Sequence, residues 1–421
     1  MFAVALVALA ASAPAGRPVW TEADAVAAFE KNSPALVDAR FAEATARAEA
    51  VQAGARPNPN LSTALGNIPL QANLTGSGNG AGFAHNYTTN LELDQPIELG
   101  GKRGKRLAAA RSAVEEARLG VDDARRSAVY ALRTAFWNAV RARERRALAE
   151  AVKARYGETL RIMRARFASE DISAVDLDRV ELEGSKQEND LADAVAAERA
   201  AVAELLRLAG PGAPPDVDVQ GTLRTAPAPL DEAALTTRAL ASRPDLARAR
   251  AALSTARAGA DLARAERIPD VTVGVAWTHS AAVAAGDNPD ALAVTLSLPL
   301  PIFDRRRGEV QKADVAVSAA ERTLAATEAG IGRDVAGAWA RYAAAAEKVA
   351  RYEGGALTRA DRALEVMEKT YRAGEKSLLE FLEAERTDIA LRADYLDTLY
   401  ELREARLELE QAVGAQLPEA A

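Results

Sequence analysis

The chain contains no cysteine, two histidines and three methionines. Disulfides, thiolate metal centres and cysteine nucleophiles are therefore excluded, and soft metal ligands are scarce. Aromatic residues fill only 5% of the 421 positions, too few for one large globular core. An excess of basic charge is missing as well. The 53 Lys and Arg face 60 Asp and Glu, for a net charge of −7, which argues against a nucleic-acid partner. Beyond the N-terminus no segment reaches the roughly 20 apolar residues of a membrane helix. A membrane-spanning role would have to rest on strands. What abounds is alanine and charge, the composition of long packed helices.

The start, MFAVALVALAASAPAG, is a short apolar run ending in small residues. It reads as a secretory signal over residues 1–15 with an A-x-A site at Ala11-Ser12-Ala13. The rest is two copies of one unit. Pro34 matches Pro244 and Pro59 matches Pro269, at a shift of 210. Further on the shift is 204: Gly104 matches Gly308, Phe167 Tyr371, Ser173 Ser377, Asp176 Glu380, and Gly210 Gly414. The first repeat takes residues 16–210 and the second 231–415. The Pro-rich stretch 211–230 is expected to connect them over the surface.

Each repeat has the same order: short helix, two strands, very long helix, turn, return helix. The short helices are expected at 34–55 and 244–267. The β-hairpins fall at 57–98 and 268–302, the long helices at 101–167 and 305–371, and the return helices at 174–209 and 378–413. A helix of that length is roughly 100 Å long. Leu107, Val114, Val121, Ala128 and Ala135 recur every seven residues, which predicts a coiled-coil seam. In the strands, Tyr87, Thr89, Leu91 and Leu93 alternate with Thr88, Asn90, Glu92 and Asp94. Val271, Val273, Val275 and Trp277 do the same, as do Leu292, Val294, Leu296 and Leu298. Their length suits tilted membrane strands. The stretches LTGSGNGAG and AAGDNPD read as hairpin loops. Four strands cannot close a barrel, and open edges are not tolerated in hydrocarbon. A membrane role therefore requires several chains to share one barrel.

Nothing in the chain suggests an enzyme or a cofactor. GGKRGKR lacks the spacing and the hydroxyl of a phosphate-binding P-loop. His85 and His279 sit in or near the hairpin loops and read as solvated rather than as metal ligands. No nucleophile–base–acid set is recognisable.

The duplicated helix–hairpin–helix plan, with QPIELGGKRGKR (95–106) and LPLPIFDRRRGE (298–309), resembles the TolC-like outer-membrane efflux family. Within it, the chain is most similar to the heavy-metal resistance (CzcC- and CusC-like) branch. The resemblance covers about residues 20–415. It implies an α+β membrane protein: a long coiled-coil α-helical barrel, with four strands per chain in a shared transmembrane β-barrel. It further implies a homotrimer in the outer membrane of a Gram-negative bacterium, with a large periplasmic portion. The partners implied are a periplasmic membrane-fusion adaptor, an inner-membrane pump of the resistance–nodulation–division type, and outer-membrane lipid. The expected role is passive conduction of exported heavy-metal cations. The same architecture serving drug efflux or type I secretion, and a soluble periplasmic coiled-coil scaffold, are the alternatives.

Two sets of residues follow from the resemblance. YRAGEKSLLEFLEAE (371–385) is similar to the family's tunnel-tip motif. By that likeness Glu380 and Glu383, with Asp176 of the first repeat, ring the periplasmic aperture, and Tyr371 and Lys376 latch it. Glu stands for Asp twice and Lys for Arg. The second set lies where strands become helices. Gly100 and Gly101 permit a reversal of the backbone. Lys102, Arg103, Lys105 and Arg106, with Arg305, Arg306 and Arg307, sit at helix starts, where positive charge is unfavourable. Contacts to lipid phosphates would offset that.

Overall fold

The computed structural model describes residues 17–68, 86–225, 230–283 and 286–418. The expected signal peptide, the loop 74–82 and His85 lie outside them. So does part of the second hairpin loop. In chain order the elements are β1 (Val19–Trp20), α1 (Glu22–Asn32), α2 (Pro34–Ala53), β2 (Asn60–Gly66), β3 (Thr88–Ile97), α3 (Lys102–Ala168) and α4 (Ala174–Ala209). There follow β4 (Asp218–Val219), α5 (Glu232–Ser242), α6 (Pro244–Ala265), β5 (Val271–Ser280), β6 (Asp290–Ser297) and α7 (Arg307–Arg351). A π-helical turn (Tyr352–Ala356), α8 (Leu357–Arg372) and α9 (Leu378–Val413) complete the chain. Contacts group these into two compact units, each drawing on both repeats.

One unit takes residues 41–119 and 247–326. Its centre is a four-stranded antiparallel sheet in the order β2-β3-β5-β6, so the two hairpins meet at β3 and β5. The register stacks the side chains in rows across the sheet. Leu61, Leu93, Val275 and Val294 share one row, and Thr63, Leu91, Trp277 and Leu292 the next. This face is apolar and exposed: Leu61, Leu91, Leu93, Val275, Trp277, Leu292, Val294 and Leu296 all stand open. The opposite face carries Glu92 and Asp94 with Asn90, Thr278 and Thr295, because successive strand residues point to opposite sides. Among the described residues β2 and β6 are the unpaired edges of the sheet.

The other unit takes the chain up to residue 40, residues 120–246 and the chain from 327. Its core is helical: Leu132, Phe136, Val140, Leu205, Ile331, Val335, Leu402, Leu409 and Val413 are fully enclosed. The expected seam residues Leu107, Val114, Val121, Ala128 and Ala135 are only half-buried. Within a single chain that seam is incompletely covered.

Two expectations need correction. The helix expected over 305–371 is interrupted. The backbone leaves helical geometry at Gly354 (ψ 15°) and Gly355 (φ 121°), the left-handed region where glycine alone is unpenalised. At the matching positions the first repeat has Glu150 and Ala151, and α3 runs on unbroken for 67 residues. The connector 211–230 is also more than a surface strap. Val217, Val219 and Leu223 are buried, and β4 pairs in parallel with β1. Proline content foretold irregular backbone there, and irregular backbone can still carry apolar anchors.

Candidate functional site: acidic helix turns and basic junctions

Both long helical stretches end in the same turn. Asp171 N donates to Arg166 O at 2.9 Å, and Glu375 N to Thr370 O at 3.0 Å. One residue earlier stands a left-handed residue, Glu170 (φ 61°) in the first repeat and Gly374 (φ 79°) in the second. These are Schellman-type closures, which satisfy the last carbonyls of a helix. A serine then caps the next helix. Ser173 Oγ accepts from Asp176 N at 3.1 Å and donates to its carboxylate at 2.7 Å. Ser377 and Glu380 form a reciprocal capping box, which occupies two free N–H groups of the helix start.

This local geometry sets the charge of each expected aperture residue. Lys376 Nζ lies 2.6 Å from Glu380. With the bonds from Ser377, it holds the Glu380 carboxyl down to about 2. Glu380 is thus ionised but neutralised by its neighbour. Glu383 is exposed and, among the described residues, its carboxylate has only a long pair with Arg386, at 3.7 Å. Asp176 bonds its serine. The two expected latch residues act separately. Lys376 is spent on Glu380. Tyr371 stacks on Phe381, with ring centroids 5.2 Å apart and planes 8° apart. Its hydroxyl accepts from Arg166 Nη1 at 3.4 Å and donates to Met163 Sδ at 3.1 Å. Arg166, which also holds Asp171 at 2.7 Å, is a participant the sequence did not reveal.

Behind the turns lies a buried ionic cluster that sequence reasoning also missed. The Glu385 and Asp388 side chains are 1% and 2% exposed. Arg155 reaches both, at 2.9 and 3.4 Å, and Arg392 holds Asp388 at 3.0 Å and pairs with Asp361. Arg386 pairs with Glu183. Burial raises the Glu385 carboxyl above the usual range, against the lowering field of Arg155. A signal was present: Glu385 and Asp388 continue the apolar stripe of Leu378, Phe381 and Leu382 at helical spacing.

At the strand–helix junctions the basic residues of the first repeat turn inward. Gly100 and Gly101 have φ 66° and 68°. A Cβ on Gly100 would strike the Ile268 side chain at 2.6 Å. Lys102 pairs with Asp270 at 2.7 Å, and Lys105 with Asp261 at 2.9 Å. Arg106 pairs with Glu98 at 2.5 Å and donates to the carbonyls of Ala53 and Ala55, both at 3.0 Å. Arg103 donates to Gly54 O at 2.6 Å. The cluster at the start of α3 therefore caps the C-terminal end of α2, where cations are favoured. In the second repeat Arg306 pairs with Glu266 at 2.5 Å. Arg305 and Arg307 have no protein partner among the described residues.

At the other end of the sheet His279 Nδ1 lies 3.0 Å from Asp290. Among the described residues no group of three or more His, Asp or Glu could hold a metal ion.

The outer membrane efflux protein profile matches residues 26–211 and 235–415, one match for each repeat. The cobalt-zinc-cadmium resistance protein CzcC of Cupriavidus metallidurans is 26% identical over 328 residues, 78% of this chain and 77% of that one. The nickel and cobalt resistance protein CnrC of the same organism is 29% identical over 297 residues, 69% and 66% of the two chains. Among solved structures, CusC superposes with a TM-score of 0.75 at 18% identity, covering 94% of this chain and 92% of that one. VceC of Vibrio cholerae gives 0.74 at 19% identity, covering 94% and 96%. These structures share the fold. With both repeats matched, the chain belongs to the outer membrane efflux protein family.

Proposed function

We propose that three copies of this chain form the outer-membrane channel of a tripartite efflux pump and conduct heavy-metal cations from the periplasm to the exterior. The observation that carries the channel reading is the sheet. It presents one open apolar face, one polar face bearing Glu92 and Asp94, and two unpaired edges. In hydrocarbon such a sheet must be continued by further copies until it closes. The half-covered helical seam supports the same arrangement.

The mechanism is passive. Carboxylates along the polar face and around the helix turns would raise the local concentration of cations and repel anions. Scarcity of His, Cys and Met leaves few ligands to retain a metal in transit. The resistance–nodulation–division pump and a periplasmic adaptor supply energy and continuity. The metal assignment draws on likeness to the cobalt, zinc, cadmium and nickel resistance proteins.

Single-channel recording of the reconstituted protein tests the reading. Wild type is expected to show a small, cation-selective conductance, and Glu380→Ala/Glu383→Ala a larger one. A conducting wild type with an unchanged double variant would remove the aperture assignment and keep the channel. No conductance would overturn the channel.

A further inference from the structure

The two strand–helix junctions are related by sequence but differ in chemistry. At the shift of 204, Glu98 becomes Ile302, Leu99 becomes Phe303 and Gly101 becomes Arg305. In the first repeat Glu98 supplies a carboxylate that binds Arg106 and lines the groove there. In the second that acid is gone. What remains is a shallow groove of about 510 Å³, lined by Arg264, Arg267, Ile268, Pro301 and Arg305. Arg264 is bound to Asp314 at 2.6 Å. Arg267 and Arg305 have no protein partner among the described residues. Two guanidinium groups therefore line one groove with no anion to meet them.

Above the groove stands an apolar prong. Leu300, Ile302 and Phe303 are 69%, 62% and 98% exposed. A short turn, Ile302 N to Leu300 O at 2.8 Å, and the Arg306–Glu266 pair fix the loop on both sides. Leaving a phenylalanine almost fully in water forgoes the gain of burying its ring. The prong follows directly on the exposed apolar face of β6, through Leu296 and Leu298. Apolar side chains continuous with a membrane-facing surface, beside unpartnered guanidinium groups, match one chemistry: a phosphate group carrying acyl chains.

We propose that this groove binds the phosphate of a glycerophospholipid in the periplasmic leaflet of the outer membrane. Arg267 and Arg305 hold the phosphate, and Leu300, Ile302 and Phe303 lie among the acyl chains. The proposal rests on the channel reading. Each chain then has one lipid site, in the second repeat; the groove at the first repeat's junction, about 440 Å³, is lined by the carboxylates Glu49 and Glu98, which disfavour a phosphate.

The test is native mass spectrometry of the full-length oligomer after detergent washing, with phosphatidylglycerol as probe. Wild type should retain the lipid, and Arg267→Glu/Arg305→Glu roughly fivefold less. Arg267→Lys/Arg305→Lys should fall between, because lysine lacks the bidentate fork. Ile302→Ser/Phe303→Ser should lose the diacyl lipid while inorganic phosphate still binds. Equal retention in wild type and the charge-reversed variant overturns the proposal. So does displacement of the lipid by inorganic phosphate alone, which would make the groove a plain anion site. Dissociation of the charge-reversed oligomer before any loss of lipid would assign the groove to a neighbouring copy, and also overturns it. A wild type that conducts but fails these tests removes only the lipid site. One that neither inserts nor conducts removes the channel reading with it.

Discussion

Ser377 and Glu380 show how a helix start can fix the geometry and charge of a carboxylate. The serine caps α9 through Glu380 N, and Glu380 returns the bond. Ser377→Ala should lower the thermal stability of the purified protein by about 1 kcal/mol, and Ser377→Asp should restore most of it. Glu385 gives the opposite electrostatic case. Its folded carboxyl is raised by burial. Protonation therefore favours the folded form, and this stability is full below the ordinary carboxylate value and lost as pH rises through the folded one. Wild type should gain stability on acidification through that window relative to Glu385→Gln. Parallel denaturation curves for the two across the same pH range would refute the assignment. The sequence disclosed the acids of the turns through the likeness of residues 371–385 to the family's tunnel-tip motif and the match of Asp176 to Glu380; their capping serines emerged only in the structure. It concealed Arg155, whose partners Glu385 and Asp388 lie far along the chain, and the link from Arg166 to Tyr371.

The helices were legible because apolar and small residues recur at helical spacing over many turns. The interruption at 352–356 was not, since the periodic pattern resumes beyond it. Two glycines inside a long helix admit both a straight and a broken reading. The structure selects the break. Gly355→Ala, at φ 121°, should cost about 1 kcal/mol or more, whereas Gly354→Ala, at φ −70°, should be neutral or slightly stabilising. Paired thermal melts of the two variants check this. The β1–β4 ribbon was hidden for another reason. Two residues on each side carry no periodicity, and their pairing depends on a segment that proline content marks as irregular. The basic run at 102–106 was visible, but its purpose was not. Its partners are backbone carbonyls of another helix and acids such as Asp261 and Asp270, which no local pattern exposes.

For the whole molecule, conduction and selectivity are separable. If the polar face of the sheet lines the pore, Glu92 and Asp94 act on permeating ions independently of the helix turns. Glu92→Gln/Asp94→Asn should lower the cation-to-anion permeability ratio while leaving oligomer yield unchanged. Reversal potentials in a salt gradient measure it, and an unaltered ratio would place these carboxylates outside the ion path. The duplication was readable from matched prolines and glycines. The division into two compact units was not, because each unit takes part of both repeats and so crosses the sequence boundary.

That crossing shapes how the chain reaches its native state. The central seam of the sheet pairs Thr88 with Ser280 and Ile97 with Val271. β3 must therefore wait until most of the polypeptide has been synthesised before its second neighbour exists. Loop closure over such separations is slow, and through the delay both hairpins display strands with bare edges and oily faces. The newly exported chain should accordingly depend on holdase chaperones in transit, and misfolding rather than instability should be the chief hazard of producing it.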